Sequence, residues 1–240
     1  MITLIMRCRG FATIVLIAAL TVGLAPTPGV RAAAPVAAMS AADLAQALQK
    51  KYDSISDFSA DFIHTYQGGA FNKQLTERGH LLVKKPGKMR WEYSVPEEKL
   101  FVSDGVKMYS YIPQDKQVIV STVPTGDAVT TPTLFLVGKG NLTKDFTSTI
   151  VDLPPPWSKS PPEAFALKLV PKVSQPDYDW LILVADPVSF QMRGLVTIDA
   201  QGGKSSFSFL NLKENVGLAD KAFAFKIPRG VDVVSSSSGL

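Results

Sequence analysis

The sequence is poor in the residues that most often carry chemistry. Among its 240 residues are one cysteine, Cys8, and two histidines, His64 and His80. It contains no HExxH motif, no Cys/His ligand spacing and no GxSxG motif. Gly203-Lys204-Ser205 ends like a P-loop, but Ile198 occupies the place of its first glycine. We therefore expect no enzyme, no catalytic residue, no metal and no cofactor, although a Ser-His-Asp triad needs no fixed spacing and stays open.

The first residues have the pattern of a targeting segment. Arg7 and Arg9 precede an apolar run at 11–24, and small residues follow, including Val30-Arg31-Ala32. The apolar run is about 14 residues long, which is short of the ~20 that span a bilayer. We predict a cleaved secretory signal peptide over residues 1–32, with cleavage between 32 and 38, rather than a membrane anchor.

The rest of the chain is close to neutral and has no cysteine. The sequence has 25 Lys and Arg against 21 Asp and Glu, and the leader holds Arg7, Arg9 and Arg31, which leaves 22 against 21. A basic face for nucleic acid is therefore not indicated. Cys8 precedes the apolar run, so it is not placed as a lipid-acceptor cysteine, and no disulfide is available. We expect a monomer with one buried core, since roughly 205 residues suffice for a single domain.

Two helices are predicted from local patterns. Ser40-Ala41-Ala42-Asp43 is a variant capping box, and Leu44 and Leu48 follow it at helical spacing, which predicts an amphipathic helix. Thr131-Pro132 places a proline at the first position of a short apolar helix at 133–139. This second helix contains three large apolar residues, Leu134, Phe135 and Leu136.

The stretch 83–117 predicts the start of a twisted antiparallel sheet. Met89 and Trp91 alternate with charged residues, which is the period of a half-buried strand. Asp104-Gly105 separates two apolar runs that contain Val102 and Met108, which predicts a hairpin with a type I′ turn.

Alternating segments elsewhere predict most of the remaining strands. Phe62 lies in one such segment at 58–66, and the Pro-rich connection at 153–163 cannot pair as a central strand. An antiparallel sheet of eleven or twelve strands curls, so the few helices would lie inside the curl or across its mouth. We predict one domain over 40–234 and a flexible tail at 235–240. The other predicted strands are 76–85, 118–120, 146–151, 165–170, 179–185, 192–199, 204–213 and 223–227.

The apolar side chains on these elements have two interpretations. For any one residue an ordinary sandwich core is the better expectation. A curled sheet can also hold an adaptable apolar pocket, for which Phe, Met and Trp are suited. Periodicity alone does not separate the two. The candidate pocket residues are Leu44, Leu48, Phe62, Met89, Trp91, Val102, Met108, Leu134, Phe135 and Leu136.

Four pieces of the chain form an ordered pattern. The block 83–118 has a basic residue and proline, a central tryptophan, a VSDG turn and an aromatic-rich strand that ends in a Pro-turn. Around it lie Phe58-x-Ala60-x-Phe62, Thr131-Pro132 before an apolar helix, and Phe223-x-Phe225-x-x-Pro228-x-Gly230-Val231. Taken together, from Ser40 to Val234, these pieces resemble the outer-membrane lipoprotein carrier family, LolA.

The resemblance implies a fold and a function. The fold would be an incomplete, half-open antiparallel β-barrel of about 11 strands, with short α-helices as a lid over an apolar cavity. The protein would be a non-enzymatic periplasmic carrier that binds the acyl chains of lipoproteins, and the pocket residues above would be lipid-binding. Its partners would be acylated lipoproteins, an inner-membrane lipoprotein-releasing ABC transporter and an outer-membrane lipoprotein acceptor.

Two positions depart from the family pattern. Lys85 stands where the family often has arginine, whose planar fork can bond lid carbonyls, and Met89 stands where an aromatic residue is common. We expect Lys85 to act as a lid latch at the rim, and the alternative is a solvated turn residue. The alternative function is a half-barrel envelope sensor or regulator that binds lipid or lipoprotein without transferring it. A membrane-anchored acceptor is disfavoured because no cysteine is suitably placed.

Overall fold

The structure is a computed structural model that describes residues 39–68, 73–123, 136, 140–159, 164–175, 177–199 and 201–235. The predicted signal peptide and its cleavage region lie outside these residues, as do Leu134, Phe135 and the tail after Ser235. Leu136 is described, and it is helical and fully buried.

The described residues form two helices of known bounds and twelve strands. Helix α1 spans Ala41–Asp53, and the helical turn α2 spans Leu142–Asp145. The strands are β1 Asp57–Gly68, β2 Lys73–Lys84, β3 Lys88–Val95, β4 Lys99–Asp104, β5 Lys107–Ile112, β6 Gln117–Thr122, β7 Phe146–Val151, β8 Phe165–Pro171, β9 Trp180–Ala185, β10 Met192–Ile198, β11 Lys204–Glu214 and β12 Asp232–Ser235.

All twelve strands belong to one sheet, in the order β12-β6-β5-β4-β3-β2-β1-β11-β10-β9-β8-β7. Two antiparallel meanders, β1–β6 and β7–β11, join where β1 pairs with β11. Only β12 runs parallel to its neighbour, β6. The strands at the two ends of the order, β12 and β7, are not paired with each other. The predicted class, a mainly β open sheet with few helices, is therefore confirmed.

Helix α1 begins at the predicted capping box. Ser40 Oγ accepts a hydrogen bond from the Asp43 backbone N–H at 3.2 Å, and Asp43 Oδ2 accepts one from the Ser40 N–H, also at 3.2 Å. Hydrogen bonds to the Asp43 carboxylate from the Ser40 hydroxyl and, to a lesser extent, from the Ser40 N–H lower the pKa of Asp43. The reciprocal pair satisfies two backbone donors that a helix start leaves open.

The sheet curls around α1. Along the strand order, β2 and β7 are six strand spacings apart, or roughly 29 Å in a flat sheet. The last turns of α1 nevertheless contact both regions. Tyr52 bonds to Lys85 at the end of β2, while Gln49 bonds to Leu142 just before β7. One concave face therefore wraps the helix and forms the core with it.

The convex face of β8–β10 is covered by the Pro-rich connection that follows β7. Trp157 in this connection lies directly over Gly194 of β10, where an added Cβ would come within 2.0 Å of the indole ring. Glycine is therefore required at this close approach. A small second cluster of buried residues forms here, namely Ala166, Ile182, Val184 and Val196.

The junction between α1 and β1 is fixed to the end of β11. Asp57 is buried, and its carboxylate accepts hydrogen bonds from the backbone N–H groups of Val216, Gly217 and Leu218 at 2.7–3.1 Å. Asn215 Oδ1 accepts another from the Ser56 N–H at 2.7 Å. The three residues between helix and strand are thus held in place by the chain that follows β11.

The turn of the β4–β5 hairpin differs from its prediction. The hairpin forms, but Asp104 ends β4 and the two-residue loop is Gly105-Val106. Gly105 has a φ of 97°, and it is the only one of the three with a positive φ. The Asp104 carboxylate accepts the N–H groups of Val106 and Lys107. The type I′ prediction is therefore wrong, since glycine at the first loop position fits type II′.

The C-terminal region also differs from its prediction. Residues 223–227 do not form a strand, because a 3₁₀ turn at Asp220–Phe223 is followed by irregular chain. Phe225 packs on Tyr109 with ring centroids 5.3 Å apart. The last strand is β12, which includes Ser235, a residue assigned to the tail from the sequence.

Candidate functional site

The concave face holds a cavity of about 200 Å³ beside strands β3, β4 and β5. We call it the β3–β5 cavity. Met108 of β5 lines it in a row with Ser103 of β4 and Met89 of β3, because residues directly opposed in the ladder share a face. The residues that border it are Met89, Trp91, Tyr93, Phe101, Val102, Ser103, Met108, Tyr109 and Phe207.

Val102 borders this cavity, but its side chain does not share the concave face. Its ladder partners are Arg90 and Tyr109, which alternate with Trp91 and Met108. Successive side chains of a strand point to opposite faces. Val102 is therefore buried on the convex side, away from the other predicted pocket residues.

An aromatic wall separates the β3–β5 cavity from the rest of the core. Phe62 of β1 meets Trp91 and Tyr93 edge-on, with ring centroids 5.0 and 4.8 Å away, and Trp91 lies 5.3 Å from Phe207. An added Cβ at Gly79 would come within 2.7 Å of the Phe62 ring and 2.0 Å of the Glu92 carbonyl oxygen. The Phe62 ring thus fills space that glycine leaves open.

A buried polar cluster lies behind this wall. Glu77 accepts from Lys99 at 2.6 Å and contacts His64 Nδ1 at 3.0 Å. The His64 ring stacks flat on Phe207, with centroids 4.1 Å apart. Burial lowers the pKa of His64 and outweighs the opposing effect of Glu77, while Lys99 lowers the pKa further. The ring is therefore favoured in its neutral form next to the Glu77–Lys99 ion pair.

The other side of the concave face is closely filled. Beneath the last turns of α1, toward β9–β11, there is a smaller space of about 30 Å³. Leu48 and Tyr52 of α1 close it from above. Its remaining borders are Lys51, Ile55, Phe58, Leu142, Leu183, Ala185, Phe190, Met192, Leu212 and Glu214.

Polar contacts attach α1 at its margins. Lys51 Nζ lies 2.5 Å from Glu214 Oε2 at the end of β11. Gln49 Oε1 accepts a hydrogen bond from the Leu142 backbone N–H at 2.8 Å. Both contacts lie at the edge of the helix, while Leu44 and Leu48 point into the core.

Lys85 makes a further contact at the C-terminal end of α1. Its ammonium donates to the Tyr52 carbonyl oxygen at 2.5 Å and lies 3.4 Å from the centroid of the Tyr52 ring. Burial lowers the pKa of Lys85 to about 8, with Asp53 acting in the opposite direction. Its backbone N–H also donates to the Ser56 carbonyl oxygen at 2.9 Å. Lys85 is thus half-buried against the helix rather than free in solvent.

The structure brings most of the predicted pocket residues together. Leu44, Leu48, Phe62, Met89, Trp91 and Leu136 lie in one buried cluster, and Met108 packs against it. Val102 faces the other way, and Leu134 and Phe135 lie outside the described residues. Tyr93, Phe101 and Phe207 were not predicted as pocket residues, although Tyr93 continues the alternation of Met89 and Trp91 and so carried a sequence signal.

Two further observations concern the described residues alone. They contain no group of three or more His, Cys, Asp or Glu side chains that could hold a metal ion. None of their helices combines the length and the apolar composition that crossing a membrane requires.

Comparison with known proteins places the chain in a family. The model of the outer membrane lipoprotein carrier protein LolA matches residues 53–226. The chain belongs to the LolA family. An outer-membrane lipoprotein carrier protein of Chromohalobacter salexigens is 28% identical over 207 residues, which is 86% of this chain and 93% of that protein. One from Methylobacillus flagellatus is 30% identical over 194 residues, 80% of this chain and 89% of that one.

Among solved structures, a LolA superfamily protein from Nitrosomonas europaea aligns with a TM-score of 0.41 at 16% identity. The alignment covers 78% of this chain and 99% of that protein's chain. Membership in the LolA family makes this chain a relative of lipoprotein carriers.

Proposed function

We propose that this protein is a periplasmic carrier that binds the acyl chains of lipoproteins released from the inner membrane and delivers them to an outer-membrane acceptor. The observation that carries the proposal is the apolar β3–β5 cavity, on a concave face covered by a helix with polar contacts at its margins. Among the described residues the cavity wall offers sulfur, aromatic and hydroxyl groups but no unpaired charge. This surface suits a hydrocarbon ligand.

Transfer free energy explains why such a carrier is needed. Exposing an acyl chain to water costs about 0.8 kcal/mol per CH₂, so a chain of roughly 16 carbons resists crossing the periplasm by ~12 kcal/mol. A soluble protein that covers the chain removes this cost. The carrier must also release the chain. The favourable free energy of its contacts with the cargo therefore has to be partly offset by an opposing cost within the protein.

The β3–β5 cavity is small for an acyl chain, so we propose that entering cargo also displaces α1, which packs on the same concave face. Pockets that bury a small ligand commonly have about 300–1,000 Å³, and the β3–β5 cavity has about 200 Å³. We therefore propose that α1 is a lid, with Lys85 as a latch at its C-terminal end. Burial destabilises the charged form of the Lys85 ammonium, as the lowered pKa of Lys85 indicates. This cost offsets part of the stabilisation that its bond to the Tyr52 carbonyl oxygen provides. A latch of this kind opens readily, and the work of opening reduces the net affinity for cargo.

Other parts of the proposal follow from the sequence and the family. The leader at 1–32 would direct export to the periplasm, and the domain at 40–234 would act as a non-enzymatic monomer. The lipid would contact Leu44, Leu48, Phe62, Met89, Trp91, Met108 and the apolar helix that the sequence predicts at 133–139. A lipoprotein-releasing ABC transporter would supply cargo and an outer-membrane acceptor would remove it, with no nucleic acid involved.

Mass spectrometry of the protein purified from periplasm tests the proposal. We expect triacylated lipoprotein to co-purify with the wild type and, at reduced occupancy, with Met108→Gln, which places an amide on the cavity wall. The adjacent variant Lys107→Gln alters an exposed side chain and is the matched control. A protein that is empty and binds no acylated peptide would contradict the carrier. A stable complex with a regulatory protein, without transfer to an acceptor, would indicate the sensor instead.

A further inference from the structure

One buried hydroxyl on the concave face has no hydrogen-bond partner. Ser121 in β6 is 3% exposed, and within the described part of the chain its Oγ makes no hydrogen bond. An unpaired buried hydroxyl destabilises a fold, and alanine would occupy the same position without that penalty. Such a group therefore requires an explanation beyond packing.

Strand pairing places Ser121 next to the β3–β5 cavity. It lies directly opposite Met108, which in turn lies opposite Ser103, so the three residues form one row on the concave face. Ser103 and Met108 line the cavity. Ser121 is one strand spacing, about 4.8 Å, beyond Met108. A ligand that extended the cavity along this row would reach its hydroxyl.

The other serine in the row is already paired. Ser103 Oγ donates to the Gly87 carbonyl oxygen at 2.6 Å and accepts from the Gly105 N–H at 3.3 Å. It thereby ties the β2–β3 turn to the β4–β5 turn. The two serines share a residue type, a row and near-complete burial, but only Ser103 has a structural bond to explain it.

We propose that Ser121 Oγ donates a hydrogen bond to a carbonyl oxygen of the cargo's acyl linkage. This inference rests on the proposed carrier function and adds a polar contact to a cavity otherwise suited to hydrocarbon. A carbonyl oxygen only accepts hydrogen bonds, and a serine hydroxyl supplies one donor. Two linkages of a triacylated lipoprotein present this group, namely the glyceryl esters and the N-terminal amide. Ser121 fixes the depth to which a chain enters the cavity.

Three lipopeptides distinguish the sources of the carbonyl. The first is triacylated, the second has its two esters replaced by ethers, and the third keeps the esters but lacks the N-acyl amide. Their affinities are measured for the full-length mature wild type and for Ser121→Ala. We expect the variant to bind the triacylated peptide roughly three- to tenfold more weakly, the worth of one net hydrogen bond. Its unfolding midpoint should be unchanged or higher.

The outcomes assign the partner. If an ester is the acceptor, the ether peptide binds wild type and Ser121→Ala equally. If the amide is the acceptor, the peptide that lacks the N-acyl amide binds wild type and Ser121→Ala equally. Thr122→Ala is the control, because Thr122 is exposed on the opposite face of the same strand.

Two results would overturn the inference. Ser121→Ala could bind all three peptides as the wild type does, or it could lose the same factor for all three, which would indicate a packing effect. In both of these cases, binding of the triacylated peptide by the wild type would still support the carrier function. A wild type that binds none of the three contradicts the carrier function as well.

Discussion

The two sides of the concave face are built from different side chains. Toward β8–β10 the face is closely packed and mostly aliphatic, with Leu167 and Leu195 fully buried, although Phe165 and Met192 also lie there, and about 30 Å³ is left under α1. Toward β3–β5 it carries methionine, aromatic and serine side chains around about 200 Å³. Branched aliphatic residues pack in fixed positions, whereas methionine adapts to irregular space. The two sides therefore differ in how closely they are packed, and the more open side is the one to which we assign the proposed ligand.

Truncating one residue on each side should give the largest difference. We expect Leu195→Ala to destabilise the protein by about 2–5 kcal/mol, because it opens a hole in packed core. Met108→Ala should cost clearly less, since its side chain already borders open space, but it should weaken binding of an acylated peptide. Denaturant unfolding and peptide titration measure the two effects. Equal losses of stability would contradict the division of the face.

Acid should act on the cavity side through His64. The folded pKa of His64 is below its ordinary 6.5 because the ring is buried. As pH falls from 6.5 through the lowered pKa, the unfolded state binds a proton that the folded state resists, so stability is lost. We expect His64→Gln to lose less unfolding free energy than the wild type between pH 7 and pH 5.

The histidine prediction has an internal control. His80→Gln replaces the other imidazole of the sequence, which is substantially exposed, and is the matched variant for comparison. A wild type and a His64→Gln variant with parallel stability curves would exclude His64 as the source.

Removing the latch should affect ligand exchange more than the fold. In Lys85→Leu both contacts of the ammonium, with the Tyr52 carbonyl oxygen and with the Tyr52 ring, are lost, and so is the cost of burying its charge. We expect unfolding free energy to change by less than about 1 kcal/mol, and release of a bound acylated peptide to change by roughly threefold. Stopped-flow release kinetics measure the second effect. Lys107→Leu, an exposed lysine, is the control, and identical release rates would contradict the latch.

Alkali should act through the same lysine, and the sign of its effect on peptide binding is fixed. The pKa of Lys85 is about 8 when α1 covers it, against an ordinary 10.5. Above about pH 8 the covered lysine has lost its proton while an uncovered one keeps it, so rising pH favours the covered state until about pH 10.5. We therefore expect weaker peptide binding at pH 9.5 than at pH 7. Lys85→Leu should lack this component, and stronger wild-type binding at pH 9.5 would contradict the assignment.

Local chemistry made much of the fold predictable. The capping box at Ser40 located the start of α1, and alternation located Met89 and Trp91 on one face of β3. Val102 could not be assigned this way, because Leu100, Phe101 and Val102 are all apolar and both faces of β4 are covered. Alternation with a period of two shows which face of a strand is buried only where the residues on the other face are polar.

Long-range contacts were not predictable from the sequence. Lys51 and Glu214 are 163 residues apart, and no local pattern pairs them. The position of the Ser121 hydroxyl, in one row with Met108 and Ser103, is set by the register of three strands. The resemblance to the LolA family did identify Lys85 as a candidate, because the family pattern includes the basic residue before Pro86. The structure adds that Lys85 contacts Tyr52 of α1.

The short connection between α1 and β1 affects how helix and ligand compete. Only Ser54, Ile55 and Ser56 separate the two elements, and Asp57 fixes the junction from the strand side. A displaced helix therefore stays within a few residues of the surface that it left, at a high effective concentration. Its return is intramolecular, so its rate does not depend on the amount of protein present. Dilution would therefore weaken the binding of an acyl chain, which depends on concentration, but would leave the closing of the helix unchanged.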